Sequence, residues 1–162
     1  MGTRAVLKIT TLNNQGIFRW AADPSEWEKN NEWETVLLFK GSDGFSGEVM
    51  NNIRKAYGIA RRSWSYGDLF DPEFVAACLI IANMRACPVS NNWFQINKRP
   101  IDMAYSYLLK IDFDQKKWRV DGSCHSEGAF FLDEWKVSMH PDHLKYNYDR
   151  KNISARYVRR FK

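Results

Sequence analysis

The chain has few cysteines: three in 162 residues, at positions 78, 87 and 124. An odd, widely spaced set argues against a disulfide framework and for a reducing compartment. It also lacks any apolar run near the ~20 residues that a bilayer span requires. The longest run, Phe74–Ala82, has the length of a buried helix. No basic segment followed by an apolar stretch opens the chain, so no secretory leader is expected. Val6 stands where a myristoylation motif needs Ser or Thr. The glycines near residue 44 are not followed by the Gly-Lys-Ser/Thr of a Walker loop. There is no internal repeat, no low-complexity tract and no strict β-α-β alternation, which argues against a nucleotide-binding parallel sheet. These absences point to a protein of the cytoplasm (of a bacterial host, on the resemblance given below) with no membrane association and no cofactor.

Large rings are abundant. Aromatic residues make up 15% of the chain, with seven Trp, and they supply core area that a 162-residue single domain needs. Charge is unevenly placed. Residues 145–162 hold seven basic side chains against one acid (+6), leaving seventeen basic against eighteen acidic residues (−1) in 1–144. The pattern divides the chain into a domain, 1–144, and a basic, aromatic C-terminal tail, 145–162.

Within the domain, Arg4–Thr10 and Gly16–Trp20 flank turn formers and predict a β-hairpin. Val36–Phe39 is a continuous apolar run, predicting a central strand buried on both faces. Val49, Met50, Ile53 and Tyr57 fall at helical spacing, with Ser46 as a cap, Glu48 in the first turn and Gly58 at the exit. Asp71-Pro72-Glu73 predicts the start of a second helix, whose core face is Val75, Cys78, Leu79 and Ala82. Asn92–Ile96 predicts a strand. Tyr105–Phe113 and Lys117–Val120 alternate apolar and polar residues and predict a second hairpin. Gly128–Trp135 is ambiguous between strand and short helix. The order ββ-β-α-α-β-ββ predicts an α+β fold: a mostly antiparallel sheet with two helices packed on one face.

The segment Lys40-Gly41-Ser42-Asp43-Gly44-Phe45-Ser46-Gly47 is the leading candidate site. Three glycines between a strand and a helix can aim backbone N–H groups at one point, where the helix N-terminus favours an anion. Arg4 is a candidate for added positive charge. Cys124-His125 with His140 and His143 holds four potential zinc ligands, but the spacing is not that of paired ligands, and solvated loop histidines account for them better. Asp112 and Asp114 are read as solvent-facing acids of a hairpin. In the tail, Lys145, Arg150, Lys151, Arg156, Arg159, Arg160 and Lys162 interleave with Tyr and Phe, a mix that neutralises phosphates and stacks on bases. Arg61-Arg62 with Trp64 and Tyr66 is a smaller patch of that type.

Four elements line up with a known pattern: Gly2-Thr3-Arg4 opening the first strand, Asp43-Gly44-Phe45 with the small Gly47 before the first helix, a second helix over Ala76–Ala82, and then the strand Ala104–Asp112. Together they resemble a diffuse family of small phage, prophage and bacterial proteins that begin Met-Gly-Thr-Arg and carry an Asp-Gly-aromatic turn. The resemblance covers residues 1–115 and implies provenance, a phage or mobile-element accessory gene. The expected function is non-enzymatic binding of an anionic, nucleotide-like small molecule or of a host protein or nucleic-acid complex, with inhibition of host antiviral defence as the setting. The alternatives are a DNA- or RNA-binding module driven by the tail, and a small hydrolase or transferase using Cys124 or the histidines.

Overall fold

The computed structural model describes residues 3–12, 35–63, 65–86, 94–96 and 103–141. The fold is α+β, as the order of elements predicts. Six strands form one sheet: β1 (Ala5–Leu12), β2 (Thr35–Lys40), β3 (Phe94–Ile96), β4 (Tyr105–Asp112), β5 (Lys117–Cys124) and β6 (Gly128–Lys136), in the order β3-β2-β1-β4-β5-β6. Two helices, α1 (Ser46–Ala60) and α2 (Pro72–Ala86), cover one face, and a 3-10 turn, Tyr66–Phe70, joins them.

The sheet departs from the expected pairing at its centre. Over Ala5–Thr10 both edges of β1 are occupied, by β2 antiparallel and by β4 parallel, with Leu7 opposite both Leu38 and Tyr107. No edge remains there for a hairpin partner, and Gly16–Trp20 lies outside the described residues. Every other pairing is antiparallel. The segment Gly128–Lys136 resolves to a strand because its residues pair along the whole of β5, with a bulge at Val120/Asp121. The Lys117–Val120 strand extends to Cys124.

One face of the sheet is dry. Ala5, Leu7, Ile9, Leu38, Leu109, Ile111, Trp118 and Val120 point into it and are buried. Against them α1 packs Val49, Ile53 and Ala56, and α2 packs Val75, Cys78, Leu79 and Ala82, the four predicted for its core face. Val36–Phe39 is an interior strand buried on both faces at Leu38 (0% exposed) and Phe39 (7%), but not at Leu37 (39%). Neighbours on a strand point to opposite faces, and the helices cover only one.

The open face carries an ion network instead. Asp121 pairs with Arg119 at 3.1 Å and Lys110 at 3.5 Å, and Glu134 pairs with Arg119 at 3.5 Å and Lys117 at 3.3 Å. The Arg119 guanidinium also lies 5.0 Å over the exposed Phe131 ring. Its hydrogen bond and charge hold the Asp121 carboxyl below its ordinary value.

Two polar sheet residues fix the 3-10 turn. Trp118 Nε1 donates to the Leu69 carbonyl at 2.9 Å, and Thr11 Oγ1 donates to the Phe70 carbonyl at 3.1 Å. Buried carbonyls that would cost about 1–3 kcal/mol unpaired are thereby satisfied. The turn sets where α2 begins: the Asp71 carboxylate accepts from the Glu73 amide at 2.9 Å, the N-cap that the sequence predicts.

Candidate binding site

The glycine turn folds onto its own chain. The Gly44 amide, the central donor of the expected nest, donates to the Thr3 carbonyl at 2.8 Å. The Gly44 carbonyl accepts from the buried Tyr107 hydroxyl at 2.6 Å. Burial pushes the Tyr107 hydroxyl up to about 12, so it remains a donor at neutral pH. Gly41, Gly44 and Gly47 do not take left-handed angles; the residue that does is Asp43, at φ 52°. What requires glycine at 44 is close approach, since a Cβ there would sit 2.5 Å from Ala5 Cβ. Ser46 is the first helical residue and not the cap. Phe45 occupies the cap position without a side-chain hydrogen bond, and Ser46 Oγ lies 3.3 Å from the Tyr107 hydroxyl. Lys40 is buried with its ammonium 5.3 Å over the Phe94 ring, whereas Arg4, Gly41, Asp43, Phe45 and Gly47 are exposed and Ser42 is half-buried.

The histidine and cysteine candidates do not converge among the described residues, where no group of three or more His, Cys, Asp or Glu could hold a metal ion. Cys124 Sγ lies 3.5 Å from Ser126 Oγ, while the His140 amide donates to the carbonyl of Arg61 at the exit of α1. His143 lies outside the described residues. Asp112 and Asp114 do not form a pair of solvent-facing acids. Asp112 is buried and accepts from the Gln115 amide at 3.0 Å, closing the β4–β5 turn, and only Asp114 is exposed. The seven basic residues of the tail lie outside the described residues.

A different set of residues forms a concave site. Lys55, Gly58, Ile59 and Arg62 on α1 and its exit face Ala82 and Arg85 on α2 across a groove of about 700 Å³. The spacing i, i+3, i+4, i+7 puts the first four on one stripe. Gly58 lies inside α1, which runs on to Ala60, and a Cβ there would meet nothing within 4 Å. The missing side chain and the small Ala82 leave the space, and Ile59 and Ala82 are the apolar side chains of its lining.

All three charged side chains that line the groove are cations. Among the described residues Lys55, Arg62 and Arg85 have no ion-pair partner, whereas Lys110, Lys117 and Arg119 on the sheet all have one. The two arginines of the 61–62 pair divide their work. Arg61 turns inward, donating to the Ser138 carbonyl at 2.9 Å and the Met139 carbonyl at 3.2 Å, with its guanidinium 5.5 Å over the Tyr57 ring. Arg62 turns to the groove. Both helices end there, and each C-terminus contributes about −0.5 charge. At α1 the carbonyls of Tyr57, Ile59 and Ala60 already accept from the amides of 61, 62 and 63. Three full positive charges against two such ends leave about +2, so the groove favours anions.

The sequence singles out Arg62 as part of a basic, aromatic patch, and the Lys55/Gly58/Arg62 stripe is visible in the helical spacing. Arg85 comes from the opposite helix and no local pattern joins it to them. The chain matches no family model, no curated protein and no solved structure. Fold and site together define a two-layer α+β protein with a cationic groove between its helices.

Proposed function

We propose that the protein is a non-catalytic binding protein whose anionic ligand is held in the groove between α1 and α2. The observation that carries this reading is the set Lys55, Arg62 and Arg85, which line one cavity and have no carboxylate partner among the described residues. Exposed cations that are already paired, as on the sheet face, gain little from a further anion. Unpaired ones converging on a concave surface gain on the order of 1 kcal/mol each, more where the ligand displaces water. The turn Gly41–Gly47 is less suited, because its central amide and carbonyl are both engaged internally. The resemblance of residues 1–115 to small phage proteins supports a setting in which such binding sequesters a host component and inhibits antiviral defence.

Titration calorimetry with inorganic tripolyphosphate at low salt tests the site. Binding that weakens about tenfold or more in the doubly reversed variant Arg62→Glu/Arg85→Glu, and persists when residues 145–162 are removed, is the expected result. Equal affinity in the reversed variant removes the groove from consideration. Loss on tail deletion alone assigns the anion to the tail.

A further inference from the structure

The second helix is apolar on the side that faces away from the core as well as on the side that faces it. Of its fifteen residues only Glu73 and Arg85 are charged. Its inner arc, Val75, Ala76, Cys78, Leu79 and Ala82, is buried. On the outer arc Ile81 is 42% exposed and Met84 41%, with Ala77 exposed beside them. A helix on the outside of a two-layer fold ordinarily presents polar residues there. α1 carries no large apolar side chain there: Gly47, Glu48, Asn51, Arg54, Lys55 and Gly58 are its exposed residues over the same length. The apolar strip begins where the cationic groove ends, because Ile81 and Arg85 are one helical turn apart on the same face.

We infer that the anionic occupant of the groove is a protein segment, an acidic amphipathic helix of a partner, with its apolar side on the outer arc of α2 and its carboxylates on Lys55, Arg62 and Arg85. The inference rests on the anion-binding reading of the groove and names its ligand class. A small phosphate compound satisfies the cations and leaves Ile81 and Met84 in water. A neutral apolar surface covers Ile81 and Met84 and leaves three cations unpaired. A helix with Leu, Ile or Phe at i, i+3/i+4 and i+7, and Asp or Glu on the adjoining row, satisfies both at once. The fifteen residues of α2 extend about 22 Å, which matches a partner segment of about 12–16 residues. A single helix in such a groove buries an area at the low end of specific interfaces, so the affinity belongs in the micromolar range. The unbranched Met84 side chain adapts to more than one apolar anchor.

Selection of a random peptide library, about 16 residues long, against the immobilised full-length protein tests this, followed by titration of the enriched sequences as synthetic peptides. Enriched peptides are expected to carry Asp or Glu along one helical row beside an apolar row. Ile81→Asn, a neutral surface change whose folding is checked by circular dichroism, is expected to weaken the peptide about tenfold or more while leaving tripolyphosphate affinity unchanged. Arg62→Glu/Arg85→Glu is expected to weaken both. The inference is overturned if no sequence is enriched, if enriched peptides lack acids, or if Ile81→Asn binds them as the wild type does. In each of those cases retained tripolyphosphate binding leaves the groove itself an anion site. Loss of both readouts discards the groove and its proposed occupant together. Preferential capture of an oligonucleotide over every peptide in competition also overturns it, in favour of a nucleic acid.

Discussion

A methyl group added at Gly44 would stand 2.5 Å from Ala5 Cβ and 2.9 Å from the Thr3 carbonyl oxygen, both belonging to the start of β1 and its approach. Neither neighbour can swing away as a side-chain tip does. Gly44→Ala is therefore expected to lower stability by about 1–3 kcal/mol, read as a fall in the urea midpoint. Gly47→Ala meets nothing within 4 Å and lies in the first turn of α1, so it should raise stability by up to about 1 kcal/mol. The sequence marks residue 44 as special but not why, because a left-handed angle and a close approach both call for the same missing Cβ. Only the position of Thr3 and Ala5, some forty residues away, distinguishes them. Asp121 gives a pH-dependent test. Its carboxyl is held below the ordinary value of 3.8, first by the Arg119 hydrogen bond, so its folded form releases the proton more readily than its unfolded form. The stabilisation is present above that ordinary value and is lost as pH falls through the depressed one. Asp121→Asn should accordingly cost up to about 1 kcal/mol at pH 7 and nothing at the acid end, when urea midpoints are compared across pH. A difference that grows on acidification contradicts the assignment.

The elements were unequally legible. For α2, an N-cap, a proline at the first position and a four-residue core face all act within the helix itself, and each appears where the sequence puts it. The first helix was readable in its core positions but not in its ends. Ser46 has a closer attraction in Tyr107, sixty-one residues on, and Gly58 is followed by two more helical residues. The partner of β1 was not readable at all, since strand pairing is decided by what else reaches the same edge. The 3-10 turn depends on side chains from the sheet, so its stability should answer to a sheet mutation. Trp118→Phe keeps the ring packing on Tyr57, 5.2 Å between centroids, but leaves the Leu69 carbonyl buried without its donor. A loss of about 1–3 kcal/mol is expected, measured by denaturant unfolding. Gly58→Ala offers the opposite case. An exposed helical glycine becomes alanine in open space, so stability should rise by about 0.5–1 kcal/mol. The new methyl group enters the groove, so tripolyphosphate affinity should hold or fall while stability climbs.

Across the molecule, charge is distributed by layer. On the sheet Lys110, Lys117 and Arg119 form a five-membered network with Asp121 and Glu134, and in the helix layer three cations around one hollow have no ion-pair partner among the described residues. From the sequence alone the body of the chain is nearly neutral, which directs attention to the tail and to the glycine turn. A net charge sums over both layers and hides their separation. Lys55 and Arg62 share a helical stripe, but Arg85 joins them only once α2 has turned back over the sheet, which the Trp118 and Thr11 hydrogen bonds to the 3-10 turn determine. The central claim is that this convergence is where an anion binds. Amide chemical-shift mapping during a tripolyphosphate titration tests it most directly. Saturable shifts centred on Gly58, Ile59, Arg62 and Arg85, with Ser42–Gly47 unmoved, are the predicted outcome. Shifts confined to Ser42–Gly47 or to residues 142–162, with the groove amides silent, contradict it.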